Sequence, residues 1–192
     1  MRAFVTGASG TVGGEVCQAL LEQGAEVRIG ARASSDLSEL LCDQVEVVTL
    51  DYRVDRIDPG LFEGVESFFF MTPLIDDQVE ISRRVLQAAI QGGVEHVVRL
   101  SARSAGWDHD SVLRRWHREI EDAVRSAAPS WTILRPCSFF QNFIRYQAET
   151  IRSMSALILP QGNGLIPYVD AADLGAVAAR CLVQPELHQG QT

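Results

Sequence analysis

The sequence predicts an α/β protein with a doubly wound parallel sheet, and three observations carry that prediction. Short apolar runs alternate with amphipathic, helix-length stretches along most of the chain. A glycine-rich turn, VTGASGTVGG, separates the first apolar run from the first amphipathic stretch. A later run carries Phe68, Phe69 and Phe70 in series, without the alternation of a half-exposed strand, as a strand covered on both faces requires. Right-handed crossovers between such strands fit the order 3-2-1-4-5-6.

The elements follow in order. Residues 2–6 form the first strand. Residues 11–23 form a helix with Val12, Val16, Cys17, Leu20 and Leu21 on one face, closed by Gly24. Residues 26–30, 45–50 and 65–71 read as strands two to four. Residues 77–91 form a helix ended by Gly92 and Gly93, and residues 97–101 the fifth strand. Residues 111–126 form a helix with Trp116, Ile120 and Val124 spaced by four. Residues 131–135 form the sixth strand, stopped by Pro136. Beyond Phe140 the pattern loosens. QGNG at 161–164 is turn chemistry, and Asp170 is an N-cap for a last helix carrying Leu174, Val177, Ala178, Cys181 and Leu182.

The chain has 192 residues, 46% hydrophobic and 22% charged, which suits one soluble globular core. Basic residues number 17 against 25 acidic, a net charge of −8, which argues against nucleic-acid or anionic-membrane surfaces. All 17 basic residues are arginine. The missing lysine excludes a Schiff base, a P-loop lysine and a catalytic Tyr–Lys pair. Cys17, Cys42, Cys137 and Cys181 lie too far apart for a patterned metal or disulfide framework, so no metal is expected. No apolar run approaches a membrane span, and a cytoplasmic location is expected. His96, His109 and His188 read as surface residues, and the tryptophans as core or near-core.

The glycine turn carries the most specific chemistry. Gly7, Gly10 and Gly13 are spaced GxxGxxG between a strand and a helix. Gly7 permits the tight turn, Gly10 omits a Cβ where a pyrophosphate approaches, and Gly13 lets the helix pack close to the sheet. The helix N-terminus offers unpaired N–H groups to the phosphates, and Ser9 and Thr11 add hydroxyls. An NAD site usually places an acid at the end of strand two. Here that strand ends Gly30–Ala31–Arg32. Arg32, with Ser34 and Ser35 nearby, is placed to meet a 2′-phosphate, so NADP(H) is favoured over NAD(H).

At this point the sequence resembles the NmrA-like group of the atypical short-chain dehydrogenase/reductase superfamily. VTGASGTVG, Arg32, Asp51, MTP at 71–73, LSA at 100–102 and HREIE at 117–121 carry the resemblance. So do WTILRPCSFFQN at 131–142 and YVDAADL at 168–174. The resemblance implies that the Gly7–Gly13 turn, Val12 included, holds the pyrophosphate. It implies that Asp51 and Tyr52 contact the adenine and that Met71, Thr72 and Pro73 line the nicotinamide-side ribose. Ser101 stands where the superfamily has its strand-five serine. The segment 135–138, Pro136 included, runs beside the nicotinamide. Phe140 and Asn142 border the substrate cleft.

The superfamily's Tyr-x-x-x-Lys pair is absent. Aligning Glu121 with the acid that follows this pair in extended members puts His117 at the lysine position and Leu113 at the tyrosine position. His-x-x-x-Glu resembles the quinone and dye reductases of the group. His117 and Glu121, with Ser101, are therefore the candidate catalytic residues, with His117 holding the nicotinamide ribose or donating a proton. The expectation is an NADP(H)-binding oxidoreductase passing hydride to a small quinone-like or other electron-poor acceptor. The alternative is a non-catalytic NADP(H) redox sensor that binds a protein partner. The organisation expected is a nucleotide-binding domain over 1–137 and an incomplete substrate lobe over 138–192, packed on it. Substrate identity and homo-oligomerisation stay open.

Overall fold

The computed structural model describes residues 1–106, 111–159 and 162–192; His109 and its neighbours Trp107, Asp108 and Asp110, and Gln161 of the expected turn, lie outside the described residues. Six parallel strands form one sheet in the order β3-β2-β1-β4-β5-β6. They are β1 (Arg2–Thr6), β2 (Glu26–Ala31), β3 (Val45–Thr49), β4 (Ser67–Phe70), β5 (His96–Leu100) and β6 (Ser130–Leu134). Helices α1 (Thr11–Glu22), α2 (Gln78–Gln91) and α3 (Val112–Ala127) form three of the crossovers. The β2–β3 and β3–β4 connections hold only single 3₁₀ turns, Ser38–Leu40 and Pro59–Phe62.

The central strand β4 is buried on both faces, as its three phenylalanines demand. Phe69 enters the apolar cluster with Val5, Val16, Leu20 and Val98. Phe68 and Phe70 face the other cluster, with Phe4, Phe62, Val85 and Ile120. Helix ends follow local chemistry. Ser111 Oγ accepts from Arg114 N–H at 3.3 Å, and Asp170 Oδ1 accepts from Ala172 N–H at 2.8 Å.

The segment after β6 divides in two rather than forming a single lobe. Residues 138–169 carry β7 (Ser138–Phe139) and β8 (Tyr168–Val169), which pair in parallel, and α4 (Ala148–Met154). Residues 171–192 instead pack back on the six-stranded sheet. Helix α5 (Ala171–Val183) buries Ala171, Leu174, Ala178, Ala179 and Leu182 against α1 and the sheet. Ser67 Oγ donates to the Leu182 carbonyl at 2.9 Å. After the short α6 (Pro185–His188), Ile133 N–H donates to the Gln191 carbonyl at 2.9 Å, which starts a parallel bridge beside β6.

His96 is a correction to the surface reading. It is 2% exposed, because β5 is covered on both faces. Nδ1 meets Ser130 Oγ at 2.8 Å and Nε2 meets Thr132 Oγ1 at 3.3 Å. Burial, helped by His188, pushes its pKa down to about 4.

Candidate active site

The strands' C-terminal edge gathers the candidate residues. The turn from β1 to α1 places Gly7 at φ +74°, a conformation that favours glycine. A Cβ on Gly7 would also meet Met71 Sδ at 2.5 Å, so Met71 lies against the turn. A Cβ on Gly13 would stand 2.2 Å from the Gly7 carbonyl oxygen. Gly10 differs: its Cβ would meet only that same oxygen, at 3.2 Å, and otherwise points to open space. Gly10 is also the N-cap of α1, with no side-chain cap and no acid in the first turn. The amides of Thr11, Val12 and Gly13 thus keep their free N–H groups for an anion. The Val12 side chain itself is buried in the core. A cavity of about 740 Å³ opens beside this turn, reaching Ser9, Gly10, Thr11, Asp36 and Ser38. The geometry fits a dinucleotide pyrophosphate on the observation of that open, Cβ-free cradle.

At the end of β2, Arg32 leaves the sheet on a turn closed by Ser35 N–H to its carbonyl, at 2.9 Å. Arg32 is exposed and makes no ion pair among the described residues. Asp51 follows β3 and is held by Arg53, whose Nη2 donates to Oδ2 at 2.6 Å. Hydrogen bonds from the Arg53 side chain and backbone bring the Asp51 carboxyl down to about 2, with the Arg32 charge adding to it. Tyr52 turns inward against the cluster of Phe4, Leu50 and Phe62, and burial pushes its phenol up to about 12. At β4's end, Thr6 Oγ1 accepts from Met71 N–H at 2.9 Å, and Thr72 Oγ1 meets Ser82 Oγ at 2.9 Å. Thr72 is buried, while Pro73 beside it is exposed.

The ends of β5 and β6 meet α3 in a buried polar cluster. Ser101 Oγ donates to Glu121 Oε1 at 2.6 Å. Arg135 forks onto Glu121, Nε to Oε1 at 2.9 Å and Nη2 to Oε2 at 2.6 Å. Arg125 Nη2 donates to Oε2 at 3.0 Å. Burial pushes the Glu121 carboxyl up, but bonds from Arg135, Ser101 and Arg125 outweigh it and hold it below its ordinary value. One turn earlier, His117 is buried with Nδ1 unpartnered among the described residues. Burial and the nearby Arg99 charge bring it down to about 4, against the pull of Glu121. Leu113, at the tyrosine position, is partly exposed.

Arg99 is the residue that pattern reading missed. It sits 1% exposed in the middle of β5, donates Nη1–H to the Phe70 carbonyl at 3.2 Å and lies 4.9 Å above the Phe70 ring. Burial lowers its pKa to about 10, so it stays charged at neutral pH. An arginine inside the apolar run HVVRL was the available signal. Pro136 accepts Arg103 N–H at 2.9 Å through its carbonyl, which fixes the strand-six exit. Beyond it, Phe140 is exposed and stacks on Tyr168 at 5.6 Å, while Asn142 is half-buried at the start of a π-helical turn over Phe143–Gln147.

A doubly wound sheet with a glycine cradle at its first crossover defines a dinucleotide-binding Rossmann protein. The NmrA-like family model matches residues 2–192, and the chain belongs to that family. It is 33% identical over 188 residues to an NAD(P)H azoreductase of Xenophilus azovorans, a match covering 98% of this chain and 65% of that protein. The chain therefore spans just under two thirds of the length of this relative. Over its whole length it superposes on Citrobacter triphenylmethane reductase complexed with NADP(H), with TM-score 0.84, 27% identity and 68% of that chain covered. It also matches the fold of an Escherichia coli NADPH-dependent quinone oxidoreductase complexed with NADPH, with TM-score 0.86 and 24% identity, covering 100% of this chain and 67% of that one.

Proposed function

We propose that this protein binds NADPH across the glycine turn and the end of β2, and reduces a small, flat, electron-poor acceptor such as a quinone. The bound cofactor supplies the hydride. Gly7, Gly10, Thr11 and Gly13 hold the pyrophosphate on backbone N–H groups, and Arg32 meets the 2′-phosphate. The segment 71–73 and Pro136 flank the nicotinamide side.

One observation carries the acceptor class: among the described residues the buried cluster holds no proton donor tuned near neutral pH. His117 is neutral above about pH 4, Glu121 is ionised and tied to Ser101, Arg125 and Arg135, and the Tyr52 phenol is held near 12. The chain has no lysine. A site without such a donor suits an acceptor that tolerates the negative charge the hydride brings. A quinone fits: it becomes a hydroquinone anion and takes its remaining proton from water. His117, neutral, serves as a hydrogen-bonding residue toward the cofactor ribose rather than as the acid. Ser101, through Glu121, fixes the strand-five end, and the buried Arg99 charge favours negative charge developing above it. The relatives' names, an azoreductase and a triphenylmethane reductase, agree with conjugated aromatic acceptors.

Rapid mixing of the protein with NADPH and a panel of quinones tests this. Loss of NADPH absorbance with at least one quinone is expected. Saturable NADPH binding without oxidation by any acceptor would remove the reductase reading and leave a nucleotide-binding protein.

A further inference from the structure

Arg32 and Asp51 leave adjacent strands side by side. Ala31 pairs with Thr49 in the β2–β3 register, and Leu50 N–H donates to the Ala31 carbonyl at 2.9 Å. A bare carboxylate there is a poor neighbour for a phosphate site. It competes for the Arg32 guanidinium and repels the incoming ligand. Arg53 answers that conflict. Its Nε donates to Asp51 Oδ1 at 3.0 Å and its Nη2 to Oδ2 at 2.6 Å, and its backbone N–H holds Oδ1 at 3.0 Å. Both carboxylate oxygens are thus turned toward Arg53, and Arg32 keeps no ion pair among the described residues.

We propose that Arg53 is a specificity-determining positioning residue: by pinning and neutralising Asp51, it leaves Arg32 free for the 2′-phosphate of the nucleotide. The proposal rests on the NADPH reading above and adds the residue that makes Arg32 available. Its logic is a charge balance. With Arg53 the trio Arg32, Asp51 and Arg53 carries one net positive charge toward a dianionic phosphate. Without Arg53 it carries none. Removing the Asp51 charge as well returns the balance to its starting value. The Arg53 side chain is 87% exposed, so solvent screens the effect and salt weakens it further.

The test is a fluorescence titration of the whole chain with NADPH and with NADH, in low and in high salt. Wild type, Arg53→Ala, the Arg53→Ala/Asp51→Asn double variant and Arg32→Ala are compared. Arg53→Ala is expected to weaken NADPH about three- to tenfold in low salt with NADH unchanged. The double variant is expected to recover the NADPH/NADH ratio of wild type. Using the ratio cancels any general damage Asp51→Asn does at the adenine end, which both nucleotides share. An unchanged ratio in Arg53→Ala overturns the proposal. A ratio lost in Arg53→Ala and not recovered in the double variant also overturns it, and assigns Arg53 to direct phosphate contact. A wild type without NADPH preference, or an Arg32→Ala variant that keeps it, overturns the cofactor reading beneath, and this inference falls with it.

Discussion

Gly10 and Gly13 stand three residues apart and answer to different constraints. A Cβ on Gly13 would lie inside the Gly7 backbone, so that position is fixed by folding. A Cβ on Gly10 would crowd only the Gly7 carbonyl oxygen, at 3.2 Å, and is otherwise clear of the protein on the side proposed for the phosphates. Gly10→Ala is therefore expected to fold with a smaller loss of melting temperature than Gly13→Ala, yet to weaken NADPH binding at least about tenfold, roughly 1.4 kcal/mol. Melting curves with and without NADPH read both quantities. The glycine cradle was legible in the sequence because a missing Cβ is a local fact. The Arg53 clamp on Asp51 was not, because it depends on the turn after β3. His96 was misread for a related reason: a polar residue before an apolar run looks like a boundary. Burial on both sides of β5 is a tertiary fact.

At the scale of elements, α3 shows what spacing delivers. The four-residue interval put His117 and Glu121 on one face, and both are buried. Spacing did not reveal that Glu121 is gripped from β5, β6 and its own helix at once. A carboxylate with that many donors works as a tie between elements. Glu121→Gln keeps the size and loses the charge, and is expected to cost about 2–3 kcal/mol in urea unfolding, discounted because Arg125 and Arg135 can reach water. Helices α1 and α5 pack closely enough that a Cβ on Gly175 would stand 2.7 Å from Glu15 Cβ and 2.9 Å from its carbonyl oxygen. Gly175→Ala is expected to destabilise by about 1–3 kcal/mol, as over-packing does, in the same assay. Helix α5 was readable from its N-cap and apolar face. Its place in the nucleotide-binding core was not, since nothing local says which helix it meets.

Among the described residues two histidines are buried, His96 and His117, each brought down to about pKa 4 by burial. Their folded values lie below the ordinary 6.5, so the unfolded chain binds more protons between those limits. Stability is then full above about pH 6.5 and falls as the pH drops toward 4, by at most roughly 3 kcal/mol for each histidine. Denaturation midpoints measured across that window read the slope, and a flat profile would contradict the buried, neutral assignment. The sheet order was legible because hydrophobic runs, glycine turns and right-handed crossovers leave few alternatives. The 138–169 segment was least legible. It exposes Phe140, Ile144, Met154 and Leu165, and its sequence lacks the strong periodicity that shaped the rest.

The same charge states give the most direct test of the proposed chemistry. The rate of NADPH oxidation by a quinone, measured under single-turnover conditions from pH 5.5 to 8.5, reports any group that must give a proton during hydride transfer. Measurable oxidation is expected, with a rate that stays flat across that range, since among the described residues no side chain in the cluster is tuned to titrate within it. A rate that falls through a midpoint near pH 7, or no oxidation at any pH, would contradict that expectation.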